Sequence, residues 1–225
     1  MTANDYDAWR ESRLRKVTGP QGNLALTETR WGADDPAAAL AGQPATVTVT
    51  TLSRIDLLSG LEQHGVRLWD ADSPAIRHFK GIDTFPYDPS WVVEARYTEV
   101  SEDRGVPFEH QRDEGRTREL PVPGDLHVTI AGSEYTLHAF DDDGTLLLVF
   151  GDPTNGKTTY GAGRFLFVER EPGTDRVLLD FNRAFVPPCG FSAAYNCPLP
   201  PAQNRLAVPV EAGEKRPLFT DDFTI

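Results

Sequence analysis

Most of the chemistry this chain offers lies between Gly151 and Asn204. Gly151-Asp152-Pro153-Thr154-Asn155-Gly156-Lys157-Thr158 matches the phosphate-loop pattern G-x-x-x-x-G-K-[ST] at every fixed position. Such a loop holds phosphates with backbone N–H groups at the start of a helix, whose dipole stands behind them. The residues after Lys157 do not promise that helix. Gly161 and Gly163 would fall in its first turns, each costing about 1 kcal/mol relative to Ala. Thr158, Thr159 and the run Phe165 to Val168 favour extended chain instead. A phosphate-loop domain also needs several helix-linked parallel strands after the loop, and no clear amphipathic helix follows. The preferred reading is a glycine-containing turn between two strands, with a phosphate-loop nucleotidase as the minor alternative.

Other constellations are weaker. Asp180 and Asn182, two residues apart, would share one face of an extended strand. There they either hold a hydroxylated substrate or anchor the Pro187-Pro188 loop. Cys189 and Cys197 are not spaced as C-x-x-C, and no second cysteine pair completes a zinc site. His64, His78, His110, His127 and His138 lack ligand spacing, although His127 and His138 would come close across a hairpin. No metal is expected. There is no G-x-S-x-G word to support a serine hydrolase. Asp152 and Thr154 suit turn chemistry, bonding side chain to nearby backbone. The prolines between Pro187 and Pro201 fix φ and make a stiff extended wall suited to a ligand pocket.

Composition narrows the partners. Acidic residues outnumber Lys and Arg by 34 to 22, a formal charge of −12. That argues against nucleic acid, whose binding relies on basic surface. No apolar run approaches the roughly 20 residues of a membrane-spanning helix. The segment from Met1 to Asp7 has neither a basic nor an apolar leader region. A cytoplasmic protein with reduced thiols and no membrane partner is therefore expected. An apolar fraction of 39% supports a packed core.

The elements that must position these residues are mostly strands. One helix is expected over about 5–17, capped by Asn4 or Asp5 and stopped by Gly19-Pro20, with a short second one near Pro36 to Leu40. Ala45 to Leu52 and Val66 to Trp69 read as strands. Trp91, Val93, Ala95 and Tyr97 alternate with Val92, Glu94 and Arg96, the period of a half-buried strand. Three turn-linked pairs follow, around Ala131 to Glu134, Asp141 to Gly144 and Glu171 to Asp175. They make an antiparallel meander. The charged stretch from Glu102 to Pro123 reads as a solvated loop or lid. A single mainly β domain over 1–225, an antiparallel split β-barrel with few helices, is the fold expected.

The C-terminal third also carries a fixed series of words: Thr159-Tyr160-Gly161-Ala162-Gly163-Arg164, then Asp180-Phe181-Asn182-Arg183-Ala184, then Cys197-Pro198-Leu199-Pro200-Pro201. With Asp152 to Gly156, Phe85 to Trp91 and Glu211 to Glu214, these resemble the family named domain of unknown function 1684, across Arg77 to Lys215. The resemblance implies a split barrel similar to those of flavin reductases and pyridoxamine-phosphate oxidases, often a homodimer. It further implies an oxidoreductase of natural-product biosynthesis, using NADPH to reduce a phenolic or quinone-like aromatic substrate. FMN enters by fold analogy alone. Under that implication Lys157, Thr158, Arg164 and Arg183 would hold the cofactor, its 2′-phosphate calling for cationic donors. Tyr160 would donate a proton to a substrate oxygen, and Asp180 and Asn182 would hold the substrate. The alternative is a non-catalytic barrel that binds a small ligand or a partner.

Overall fold

The computed structural model describes residues 3–100, 104–142, 144–170, 173–220 and 223–225, with side chains from residue 5 onward. Asp143, Glu171, Pro172 and Glu102, which fall in expected turns and in the charged stretch, lie outside the described residues, as does the side chain of Asn4. The chain folds into two compact units where the sequence suggests one domain. One unit comprises Asp7–Gly81, Pro188–Asn196 and Pro217–Ile225. The other comprises Met1–Tyr6, Ile82–Pro187 and Cys197–Arg216.

Helix α1 (Ala3–Thr18), which from Asp7 onward belongs to the first unit, carries Arg15 and Lys16 in its last turn, where cations suit the helix dipole. Strands β1 (Leu26–Trp31), β2 (Val47–Ile55) and β3 (Glu62–Asp70) form an antiparallel sheet in the order β1-β3-β2. Between β1 and β2 lies α2 (Pro36–Leu40), whose first amides, Ala37 and Ala38, donate to the Asp35 carboxylate. After β3 comes α3 (Pro74–His78), capped by Ser73. Ala39, Val47, Val66 and Leu68 form one small core; Ala25, Leu26 and Trp69 form another. A further strand, β4 (Phe79–Thr84), follows α3.

The second unit is a closed antiparallel barrel. Its strands are β5 (Val92–Glu99), β8 (Gly124–Ile130), β9 (Ser133–Asp142), β10 (Thr145–Phe150), β11 (Arg164–Arg170) and β12 (Arg176–Asp180), ordered β10-β11-β12-β5-β8-β9 around the ring. The expected alternation places one face of each strand inside: Leu126, Val128 and Ile130 from β8, Leu146, Leu148 and Phe150 from β10, Leu166 and Val168 from β11. Phe181, Ala184, Leu206, Val210 and Ala212 pack against the same core. The β8–β9 hairpin turns on Ala131 (φ 49°) and Gly132 (φ 81°), the paired left-handed geometry of a two-residue hairpin loop.

The stretch expected as a charged loop is, from Arg104 onward, built around a hairpin: β6 (Gly105–Glu109) pairs with β7 (Thr117–Pro121), from Gly105↔Pro121 to Glu109↔Thr117. Its charges are paired rather than merely solvated. Arg118 donates twice to Asp113, at 2.7 and 3.2 Å, and Arg104 twice to Asp125, at 3.0 and 2.8 Å. Phe108 is fully buried, edge-on to Phe140. Finally, β13 (Glu214–Phe219) pairs with β4.

Candidate functional site

Two clefts in the barrel unit hold some of the residues singled out in the sequence. The first opens between β11 and β12. These strands pair only at Glu169↔Leu178 and Arg170↔Val177 among the described residues. Beyond that point β11 changes partner: Phe165 and Phe185 exchange backbone hydrogen bonds of 2.9 and 2.8 Å. The chain therefore inserts a 3-10 turn, Phe181–Arg183, where ladder pairing of the two strands has ended. The resulting cleft has a volume of about 390 Å³. Its apolar walls include Phe167 and Leu178, 48% and 52% exposed; Phe167 stacks on Phe185 at 5.3 Å.

Asp180 and Arg183 also line this cleft. Asp180 ends β12 and caps the turn, so Asp180 and Asn182 do not share a strand face as expected. Asp180 Oδ1 accepts from the Asn182 amide N–H (3.2 Å) and from Asn182 Nδ2 (2.9 Å), the kind of local bonding that ends a strand. Asn182 is fully buried and engaged at both ends of its amide. Its Nδ2 also donates to the Asp88 carbonyl, and its Oδ1 accepts from the Asp88 N–H, both at 2.9 Å. Asn182 thus anchors the Asp88 segment. Arg183 Nε stands 3.8 Å from Asp180 Oδ2, and neither buried atom makes a hydrogen bond. An unsatisfied buried polar group costs about 1–3 kcal/mol, and such an exception calls for an explanation. Arg183 Nη1 reaches toward Glu169 at 3.5 Å.

The second cleft, about 500 Å³, lies under the phosphate-loop look-alike. No helix follows Lys157; the chain makes turns through Gly156 to Gly161 and enters β11. The loop satisfies itself. Asp152 Oδ1 accepts from the Thr154 amide at 2.8 Å, the Asn155 side-chain oxygen accepts from the Asp152 amide at 2.7 Å, and the Thr154 carbonyl accepts from the amides of residues 157, 158 and 159. Lys157 and Thr158 are exposed and line neither cleft. Tyr160 is half-buried, with Gln111 Nε2 3.4 Å from its hydroxyl.

Arg164 is wholly buried. Its guanidinium donates to Asp152 Oδ2 and to the Val210 carbonyl, both at 2.8 Å, and to the Ala212 carbonyl. It also lies 5.2 Å from the Phe150 ring centre. Burial pulls this guanidinium below its ordinary range, against the opposing charge of Asp152. A group so committed ties the loop to the 210–214 segment and presents nothing to a dissolved phosphate. The residues expected to hold a nicotinamide dinucleotide therefore do not form one site: Arg164 is interior, Arg183 belongs to the β11–β12 cleft, and Lys157 and Thr158 stand apart on the loop surface.

The two histidines expected to come close across a hairpin lie on paired strands and are diagonal rather than directly opposite. The β8–β9 register sets His127 opposite Thr136 and His138 opposite Asp125, with His138 Nδ1 2.9 Å from Asp125 Oδ1. Cys189 and Cys197 are buried and form no disulfide. Among the described residues no three His, Cys, Asp or Glu side chains group as a metal site, and no helix is long and apolar enough to cross a membrane.

Sequence reasoning missed Phe167, Leu178 and Arg205. A signal existed for the first two: each is apolar at an outward position of a strand whose inward positions are already filled by Leu166, Val168, Val177 and Leu179. For Arg205, exposed at the second cleft, the sequence gives none.

Fold and site together define a small antiparallel β-barrel protein with a side cleft between two incompletely paired strands. The family model described as a protein of unknown function (DUF1684) matches residues 77–215, and the chain belongs to that family. An uncharacterized protein of Haloarcula marismortui, solved by solution NMR, is 35% identical with a TM-score of 0.50, over 61% of this chain and 77% of its own. No curated protein matches the chain.

Proposed function

We propose that the barrel binds a small aromatic molecule bearing a hydroxyl or similar oxygen, seated between β11 and β12. The observation that carries this reading is the coincidence, in one cleft, of two half-exposed apolar side chains and two facing buried polar atoms, Asp180 Oδ2 and Arg183 Nε, that make no hydrogen bond. Ligand sites combine apolar walls with a few placed polar groups in this way. Phe167 and Leu178 would take the ring. A modest rotation of Arg183 would bring its guanidinium onto the ligand oxygen, while Asp180, held by Asn182, keeps the arginine at the cleft.

The second reading keeps the same aromatic ligand and adds its reduction by NADPH. What favours it is the suitability of this cleft for a phenolic or quinone-like ring; Lys157, Thr158, Arg164 and Arg183 do not gather in one cleft. Thermal unfolding of the full chain with p-cresol, hydroquinone, NADPH, NADH and FMN, each added separately, tests both. A ligand that binds only the folded state adds about 2.7 kcal/mol at a hundredfold excess over its dissociation constant. Stabilisation by p-cresol or hydroquinone that Arg183→Ala removes is the expected result. Stabilisation by NADPH and not NADH would move the reading to the reductase. No stabilisation by either phenol would overturn the binding site.

A further inference from the structure

The second cleft shares no residue with the first and supports a separate conclusion. Arg205 stands exposed at its wall, and among the described residues its guanidinium has no acidic partner. Gly161 and Ala162 line the same cleft, and their backbone N–H groups donate no hydrogen bond to the described residues. The one carboxylate in the lining, Asp152, is neutralised from behind by Arg164 at 2.8 Å, with both side chains fully buried. Lys157 is exposed on the adjoining turn, and Arg216 of β13 donates from Nη2 to the Lys157 carbonyl at 2.6 Å. In a chain of net charge −12 this is a local excess of positive charge with no exposed acid in the cleft wall.

The backbone is shaped for close approach. Gly163 has φ +94°, and a Cβ there would lie 2.5 Å from Pro200 and 2.7 Å from the Phe150 carbonyl. The Gly161–Gly163 segment is thereby pressed against the proline wall with its preceding amides left free. Successive unpaired N–H groups beside a guanidinium form an anion-binding concavity, and a charge-assisted hydrogen bond to such an oxygen is roughly twice as strong as a neutral one.

We propose that this cleft is an anion site: it takes the phosphate or carboxylate of a small molecule, with Arg205 as counter-charge and the Gly161 and Ala162 amides as backbone donors. The chain would thus hold an anion-binding element under its phosphate-loop look-alike, made of residues that the pattern does not include.

The test is a titration of the 15N-labelled full chain with inorganic phosphate, and separately with acetate, at an ionic strength held constant by sodium chloride. Saturable shifts of the Gly161 and Ala162 amide resonances are expected. Arg205→Gln should weaken them about tenfold at an unchanged unfolding midpoint, and Lys157→Gln by less. A response to phosphate alone identifies a phosphoryl ligand, and an equal response to acetate a carboxylate. The proposal is overturned if neither anion moves these amides, if chloride moves them equally, or if Arg205→Gln leaves the affinity unchanged. Because p-cresol carries no anionic oxygen group, the two clefts can fail independently.

Discussion

The cleft between β11 and β12 is walled by side chains standing out from two strands, whereas the cleft under the Gly151–Gly163 loop is walled by turn residues and a Leu199-Pro200 segment, with a buried ion pair behind the loop. In the first, the strands simply stop pairing after Glu169, and the gap is left with exposed apolar groups. In the second, Asp152, Asn155 and Arg164 spend their polar atoms on the loop and on the 210–212 segment that backs it. The lesson is that the residues of the most motif-like segment hold the fold. Those best placed to meet an aromatic ligand lie on ordinary strand positions and on the Asp180–Arg183 turn. Substitutions behind the loop should therefore cost stability, and substitutions in the strand gap should cost binding.

The largest effect sharpens this contrast from the loop side. Arg164→Gln leaves Asp152 as a buried unpaired charge, which should lower stability by about 3–5 kcal/mol. Denaturant unfolding at neutral pH measures it, and a loss below about 1 kcal/mol would break the contrast. Lys at this position should not restore stability, since it cannot reproduce the forked donation to Asp152 and two carbonyls.

An intermediate effect comes from the strand gap. Phe167→Ser and Leu178→Ser remove side chains that are about half exposed, so each should cost at most about 1.5 kcal/mol of stability. Each should nevertheless weaken p-cresol binding about tenfold, the scale of losing one good apolar contact. A substantial fall in stability without a fall in affinity would reverse the roles assigned to the two clefts.

The smallest effect is a pH dependence. His110 is buried, and its backbone bridges to Pro198, next to the Leu199-Pro200 wall of the second cleft. Burial lowers its folded-state pKa below the ordinary 6.5, chiefly by desolvation, with the Phe108 carbonyl opposing. The unfolded chain then binds the proton more readily. Stability contributed by neutral His110 is present above 6.5 and is lost as pH falls from there through the folded value. His110→Asn should flatten that part of the stability profile; an unchanged slope would show that the loop-side wall does not depend on a neutral imidazole.

Much of the barrel was legible because its rules are local. Alternation in Val92 to Tyr97 and in Leu126 to Ile130 gives inward faces, and the Ala131-Gly132 turn fixes the pairing between β8 and β9. The β6–β7 hairpin was not legible, since Arg104, Asp113 and Arg118 look like a solvated run until Asp125 and Phe140 are brought to it. Nor were the partners of Arg164, for which a buried strand-capping role is one of two readings. Its sequence neighbours are glycines and a strand, while the carbonyls that satisfy it lie 46 and 48 residues away. Asp180 and Asn182 were placed on a common strand face because spacing alone cannot say that Asp180 will cap a turn. The site's apolar half was legible in principle, as a phase error in two strands.

The most direct measurement is an NMR titration of the 15N-labelled chain with p-cresol, read beside the same titration of Phe167→Ser. Saturable shifts confined to residues near 166–170 and 176–185 are expected, with about tenfold weaker binding in the variant at a nearly unchanged unfolding midpoint. Shifts centred on Gly151 to Gly163, or equal affinity in the two proteins, would contradict it.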